Sequence, residues 1–130
     1  MYLLLIASTF LSVSGCSDEV TTHFKSLAEA RSMRAFERGW LPPLLPASAV
    51  NIVEKNDLDL NRGRGSFEYD PAEREMYREQ LKSMGARPKS RASTQVLVIV
   101  RESSRWEIEL PAGSNLGKYT MESKLERSSR

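Results

Sequence analysis

Few side chains in this 130-residue sequence have the types and spacing that catalysis requires. His23 is the single histidine and Cys16 the single cysteine. A zinc site needs several such ligands, and a Ser/His or Cys/His nucleophile needs an adjacent base. The sequence therefore predicts a non-enzymatic protein with no catalytic residue and no cofactor. For His23 we expect an exposed or helix-capping position.

Two pairs of carboxylates stand close together in the sequence, Glu68 with Asp70 and Glu107 with Glu109. Such pairs could serve hydrolysis if their pKa values were driven apart. Alternation along a strand instead puts each pair on a solvent face, where nothing separates the two pKa values. No phosphate-binding glycine loop and no dinucleotide fingerprint is present, and the sequence identifies no small-molecule substrate.

One loop resembles the oxygen-ligand spacing of a calcium site. Asp57, Asp59, Asn61 and Glu68 would supply the ligands. The pattern requires glycine where Arg62 stands, because the calcium loop turns sharply there. Turn bonds from Asp57 and Asn61 to the backbone are the favoured interpretation, with no metal bound. A calcium-stabilised periplasmic domain remains an alternative.

The elements that must position these residues form a helix, two strands, a second helix and three strands. The first helix is predicted from Thr21 or Thr22 to Arg38, and the second over 71–84, with Asp70 as N-cap and Glu73 closing a capping box. The strands are predicted at Val50–Lys55, Ser66–Tyr69, Val96–Val100, Trp106–Leu110 and Lys118–Glu122. This order (α-β-β-α-β-β-β) predicts an α+β domain, with an antiparallel sheet of about five strands and two amphipathic helices packed on one face.

The segment Trp40–Pro46 contains three prolines and several large apolar residues. It favours an extended path without helix. Two interpretations are open: a strap buried in the core, which is favoured, or an exposed binding surface. The candidate binding residues are Trp40, Leu41, Leu44 and Leu45.

The charged residues carry both signs along most of the chain, with a formal net charge of +2. This balance argues against nucleic acid as a partner. Two stretches are locally basic, one containing Arg87, Lys89 and Arg91 and the other Lys124, Arg127 and Arg130. Flexible, solubilising segments are the favoured interpretation, and contact with anionic lipid headgroups is the alternative.

The N-terminal stretch Tyr2–Val13 is apolar apart from small hydroxyl residues. It is shorter than the roughly twenty residues that cross a bilayer, and small residues follow it, as in a cleaved export signal. Val13, Ser14, Gly15 and Cys16 resemble the lipobox of bacterial lipoproteins. The resemblance implies a signal peptide over 1–15, cleavage before Cys16, a diacylglycerol on the Cys16 sulfur and acylation of the new amino terminus. Ser17 follows the cysteine where an Asp would favour the inner membrane, so the resemblance implies the outer membrane.

A second resemblance covers Arg38 to Phe67, with Gly-Trp-Leu-Pro, Leu-Pro-Ala-Ser-Ala and Asp-Leu-Asp-Leu-Asn. This pattern is similar to that of small uncharacterised proteobacterial lipoproteins, which implies a tethered envelope protein and no activity. We therefore expect a tether at 16–22, one domain at 23–123 and a frayed basic tail at 124–130. The expected function is a lipid-anchored envelope module facing the periplasm that binds another envelope protein, with a periplasmic enzyme inhibitor as a further alternative.

Overall fold

The computed structural model describes residues 18–91 and 94–124. Within them lie seven strands, two short α-helices and one turn of 3-10 helix at Pro71–Glu73. The elements are β1 (Glu19–Ser26), α1 (Leu27–Ser32), β2 (Val50–Asp57), β3 (Arg62–Glu68), α2 (Arg74–Ser83), β4 (Arg87–Arg91), β5 (Thr94–Arg101), β6 (Ser104–Glu109) and β7 (Leu116–Ser123).

All seven strands form one antiparallel sheet in the order β1-β2-β3-β7-β6-β5-β4. The last strand, β7, lies between β3 and β6 and so joins the first three strands to the others. Its register places Tyr119 opposite Gly65 of β3 and opposite Ile108 of β6. Residues directly opposite each other share a face of the sheet, so this register fixes which side chains lie together on each face.

The core lies against one face of the sheet. Phe24, Ile52, Phe67 and Ile108 point to this face from β1, β2, β3 and β6, and each is buried. The helices contribute Leu27 and Ala30 of α1 and Tyr77 and Leu81 of α2 to the same core. The Tyr77 ring meets that of Phe67 edge-on, with centroids 6.1 Å apart, a favourable arrangement of aromatic quadrupoles.

The expectation of an antiparallel sheet is confirmed, but the expectation of about five strands is wrong. The described residues are mostly β-sheet with few short helices, and not clearly the α+β arrangement of two amphipathic helices packed on a sheet. Residues 22–26, assigned from sequence to the first helix, belong to β1, and the helix is reduced to Leu27–Ser32. Two β-branched residues, Thr21 and Thr22, favour a strand here, and Phe24 is buried opposite Ile52. The helix begins where the Ser26 hydroxyl accepts a hydrogen bond from the amide of Glu29. The tether predicted at 16–22 is therefore wrong from Glu19 onward.

Strand β4 was not predicted from the sequence, which instead indicated a flexible, solubilising segment at Arg87, Lys89 and Arg91. All five of its residues are exposed, so no apolar alternation marks it. It lies at the edge of the sheet, where Pro88 is tolerated and where basic side chains discourage pairing with another chain. The basic residues that composition assigned to a flexible segment are therefore held in a regular array.

The second helix is confirmed, with a different N-terminal arrangement from the predicted capping box. Asp70 caps the preceding 3-10 turn by accepting from the amide of Ala72 at 3.0 Å. The Glu73 carboxylate accepts from the amide and hydroxyl of Ser48, and the Ser48 hydroxyl accepts from the amide of Asp70. Ser48 thus takes the place of the reciprocal bond between Glu73 and Asp70. Among the helices in the described part of the chain, none is long and apolar enough to span a membrane.

Candidate functional site

The face of the sheet opposite the core is not covered by either helix. Its residues are those that alternate with the core positions along each strand, such as Lys55 of β2, Arg64 of β3, Lys118 of β7 and Glu107 of β6. We call this surface the open face. Most of its side chains are polar, as expected for the solvated side of an antiparallel sheet.

Glu107 differs from the other charged residues of the open face, because its side chain is only 8% exposed. Three cationic side chains surround its carboxylate. The Lys89 ammonium lies 3.3 Å from Oε1, the Arg105 guanidinium lies 2.8 Å from the same oxygen, and Arg91 donates to Oε2. Lys89 and Arg91 come from the edge strand β4, so this carboxylate draws their side chains across β5.

The surroundings of Glu107 oppose one another in their effect on its pKa. Burial raises it, whereas hydrogen bonds from Lys89 and Arg105 and the charges of Arg105 and Arg91 lower it. The cations prevail, and the pKa of Glu107 lies below its usual value. The carboxylate is therefore ionised at neutral pH and organises the cations, which leaves it unsuited to act as a general base.

The open face carries more positive than negative charge. Among the described residues it carries nine basic and six acidic side chains. The basic residues are Lys25, Lys55, Arg62, Arg64, Arg87, Lys89, Arg91, Arg105 and Lys118, and the acidic residues are Glu19, Asp57, Glu68, Glu107, Glu109 and Glu122.

Two adjoining depressions of about 390 and 440 Å³ cross the middle of the open face. They share Lys55, Arg64, Arg91 and Glu107 in their walls, so they form one continuous hollow, which we call the trough. Val96 is buried at its floor beside the charged walls. The trough thus combines apolar floor with a positively charged rim, an arrangement suited to binding a partner that presents both apolar and acidic groups.

A second polar cluster lies on the core face of the sheet. Glu54 and Asn56 of β2 are 2% and 4% exposed, and the Asn56 amide donates to Glu54 Oε1 at 3.4 Å. Glu54 Oε2 and Asn56 Oδ1 have no hydrogen-bond partner among the described residues, and neither have Tyr119 Oη and Trp106 Nε1. Trp40 closes this region by packing near Gly63, which lies opposite Asn56.

Burial dominates the electrostatics of this second cluster. It raises the pKa of Glu54, and the charge of Arg38 and the hydrogen bond from Asn56 only partly offset it. Burial also raises the pKa of Tyr119, with a contribution from the negative charge of Glu54. Glu54 and Asn56 do not line the trough, although Tyr119 does.

The candidate binding residues predicted in the proline-rich segment lie in the core. Leu41 and Leu45 are 1% and 3% exposed, and Trp40 and Leu44 are partly buried against the same cluster. The Tyr77 hydroxyl donates to the carbonyl of Leu44 at 2.7 Å, which fixes the segment to α2. The structure therefore supports the buried strap and not an exposed binding surface.

The four residues of the possible calcium loop do not converge. The Asp57 carboxylate accepts from the amides of Asp59 and Leu60, both at 3.1 Å, as the turn interpretation predicts. Glu68 lies at the other end of β3, about 20 Å along the strand, and accepts from the Asn51 side chain. Within the described residues, no group of three or more His, Cys, Asp or Glu side chains is placed to hold a metal ion.

The remaining candidates from sequence are separated or exposed. Glu107 and Glu109 share the open face as predicted, but only Glu107 is buried. Glu68 ends β3, whereas Asp70 caps the 3-10 turn, so these two carboxylates have different structural roles. His23 lies in β1 opposite Val53, not at a helix start. Cys16, the signal segment 1–15 and residues 125–130 lie outside the described residues.

Sequence reasoning missed the cationic cluster around Glu107. The signal was present, because Arg87, Lys89 and Arg91 recur with the period of two that is typical of one face of a strand. Their proline and serine neighbours indicated a linker instead. The acidic partner was missed for a different reason, since an alternating glutamate in a half-buried strand ordinarily faces water.

Comparison with known proteins gives one family match. Residues 18–68 match the family model of the YbbD head domain. The match begins just before β1 and ends on the last residue of β3, so it covers β1, α1, β2 and β3. It includes Lys55 and Arg64 of the trough but not Glu107 or β4. Neither the curated proteins nor the solved structures include a significant match to this chain.

Proposed function

We propose that this protein is a lipid-anchored, non-catalytic binding module of the bacterial cell envelope, and that its open face binds an acidic segment of another envelope protein. Cys16 carries the lipid, and the domain faces the periplasm from the outer membrane. The trough with its surplus of positive charge is the observation that carries the binding part of this proposal.

The lipid anchor is supported by the N-terminal sequence. The apolar stretch Tyr2–Val13 leads into Val13-Ser14-Gly15-Cys16, the pattern that lipoprotein processing requires. The domain begins soon after, since β1 starts at Glu19. A diacylglycerol and an amide-linked chain at Cys16 would hold the protein firmly, whereas one acyl chain binds a membrane only marginally.

The cluster around Glu107 supports a preformed binding surface. Lys89, Arg91 and Arg105 share one carboxylate, so two positive charges of the four groups remain uncompensated. Their side chains are already oriented by that carboxylate, which reduces the entropy that a partner must remove on binding. An acidic partner adds the missing negative charge without rearranging the cluster.

The shape of the surface favours a protein segment over a lipid or a nucleic acid. The trough is concave with an apolar floor, so an extended chain can enter it and a flat bilayer surface cannot. A nucleic acid would require a basic footprint free of interspersed carboxylates, whereas Glu19, Glu107 and Glu122 lie among the basic residues of this face. A segment that alternates acidic and apolar residues matches both floor and rim.

A non-catalytic role is supported by the state of the carboxylates. Glu107 is saturated by three cations, and Glu54 is enclosed in the core. Neither is presented to a substrate together with a second group at catalytic distance. The open face therefore offers recognition chemistry.

The anchor is tested by the intact mass of the protein recovered from membranes of its host, compared with a Cys16→Ser variant. The proposal predicts a chain that begins at Cys16 with added acyl mass, and a variant that keeps its signal segment. An unmodified chain retaining Met1 in the soluble fraction contradicts the anchor.

The binding face is tested by charge reversal in the trough. A Lys55→Glu/Lys118→Glu variant changes two exposed or half-exposed lysines of the trough wall, and an Arg31→Glu/Lys82→Glu variant makes the same change in charge on the two helices. Each affinity-tagged protein is purified from detergent-solubilised envelopes after its melting temperature has been checked.

We expect a co-purifying protein that the trough variant loses and the helix variant keeps, with binding that weakens as salt is raised. The captured segment, identified by cross-linking mass spectrometry, is expected to be acidic. Equal retention by both variants contradicts the open face as the binding site.

A further inference from the structure

We propose that the turn between β2 and β3 inserts its two leucines, Leu58 and Leu60, into the surface of the bilayer beside the lipid anchor. This inference rests on the lipid anchor of the proposed function and assigns the membrane-facing end of the domain. Leu60 also lines the end of the trough that is nearest this turn.

The chain leaves the domain toward Cys16 at this turn. Glu19, the first residue of β1, pairs with Asp57, the last residue of β2. The amide of Leu58 donates to the carbonyl of Asp18 at 3.4 Å, which joins the turn to the residue before β1. Only Ser17 separates Asp18 from Cys16, and two residues reach at most about 7 Å. An acylated Cys16 therefore brings this turn to the membrane surface.

The turn presents apolar surface that the core does not use. Leu58 and Leu60 are 52% and 60% exposed, and no other leucine among the described residues is exposed to a comparable degree. Their backbone is fixed, since the Asp57 carboxylate accepts from the amides of Asp59 and Leu60. Two leucines held outward next to an acyl anchor form a small hydrophobic surface that a bilayer can cover.

The charged groups at this end of the sheet carry both signs. Arg62 follows the turn, and Arg101 and Lys124 lie at the same end of the sheet, where they can meet lipid phosphates. The acidic side chains at this end are Asp18, Glu19, Asp57, Asp59, Glu102 and Glu122, so insertion rests on the two leucines and the acyl anchor and not on a net positive charge. The charge of Asp18 and a hydrogen bond with its side chain raise the pKa of Asp59.

Insertion of the turn fixes the orientation of the whole domain. The strands then rise from the membrane, and the opposite end of the sheet, with Ser114 in the loop between β6 and β7, stands about 20 Å away. The trough then opens sideways, with the part lined by Leu60 and Arg62 nearest the membrane and the part lined by Glu109 and Lys118 farther from it.

The test uses the full acylated protein reconstituted into vesicles of phosphatidylcholine and phosphatidylglycerol. Cys16 is the single cysteine, and its sulfur is blocked once the lipid is attached, so an introduced cysteine can be labelled alone. An environment-sensitive fluorophore is placed at Leu60→Cys or, as the matched control at the far end, at Ser114→Cys. Vesicles containing lipids brominated near the headgroup then quench any label in that region.

We expect the label at position 60 to shift to shorter wavelength and to be quenched at least twofold more than the label at position 114. Adding Leu58→Asn to the labelled Leu60→Cys protein should reduce that quenching, because the remaining leucine, and not only the dye, holds the turn in the bilayer. Equal quenching at 60 and 114, in protein whose mass confirms acylation, overturns the inference. Absence of acyl mass instead shows that the anchor itself has failed.

Discussion

The ring of Phe67 on β3 lies against Gly117 of β7, its direct partner across the sheet. A Cβ atom at position 117 would overlap this ring. Two residues further along the same pair of strands the roles are reversed, because the Tyr119 ring of β7 covers Gly65 of β3. Each glycine thus makes room for the aromatic residue opposite it, and the join between the two halves of the sheet depends on both pairs.

Gly117→Ala is expected to destabilise the protein by about 1–3 kcal/mol, the usual cost of overpacking a rigid core. The added methyl group must displace the Phe67 ring, which is fully buried and also contacts Tyr77. Urea denaturation followed by circular dichroism measures the change. In a Phe67→Leu background the same substitution should cost less, and an equal cost in both backgrounds would contradict the role of the ring.

Glu54→Gln is expected to stabilise the protein by about 1 kcal/mol at pH 7, because it removes a buried charge and adds a donor near unpaired acceptors. Burial raises the pKa of Glu54 above 4.5, its usual value. The destabilising effect of its charge is therefore complete above the raised pKa and disappears as the pH falls toward about 4. Melting temperatures at pH 7 and pH 4 measure this, and an equal advantage at both values counts against the mechanism.

Glu107→Gln should have the opposite effect, a loss of about 1 kcal/mol at pH 7, because Lys89, Arg91 and Arg105 would lose the charge that holds them. The pKa of Glu107 is lowered from 4.5 in the folded protein. Its stabilising contribution is thus present above pH 4.5 and is lost as the pH falls through the folded-state value. Urea titrations at pH 7 and pH 3 compare the two proteins, and a difference that persists undiminished at pH 3 would exclude this explanation.

Leu41→Ala is expected to destabilise the protein by about 2–5 kcal/mol, the range for a leucine removed from a packed core. The side chain is 1% exposed within the strap. Leu60→Ala is the matched control on the exposed turn and should change the stability by less than about 0.5 kcal/mol. Thermal unfolding of both variants in the acylated protein, in the same detergent, provides the comparison, and a small effect of Leu41→Ala would indicate that the strap is not part of the core.

The elements with strong local signals were predictable from sequence. The strands predicted at Val96–Val100 and Trp106–Leu110 correspond to β5 and β6, and the predicted Asp70 cap precedes the 3-10 turn that leads into α2. These segments succeed because local propensity and tertiary packing favour the same structure.

The first helix and the edge strand could not be predicted for tertiary reasons. Ala, Leu, Glu and Arg around α1 favour a helix, but pairing of β1 with β2 takes the segment up to Ser26 into the sheet. The strand β4 has no buried side chain at all, and its stability comes from backbone pairing with β5. The charged wall of the trough forms where side chains of β4 reach Glu107 of β6 across β5. No local sequence pattern indicates that contact.

The most direct test of the binding module is photo-cross-linking in living cells of the host. A photoreactive amino acid replaces Arg64 in the trough, and a control protein carries it at the exposed Met76 of α2. The account predicts a membrane-associated adduct with one protein from position 64, attached through an acidic segment of that partner, and no such adduct from position 76. Adducts from position 76 alone, or the same adducts from both positions, would contradict a partner bound at the open face.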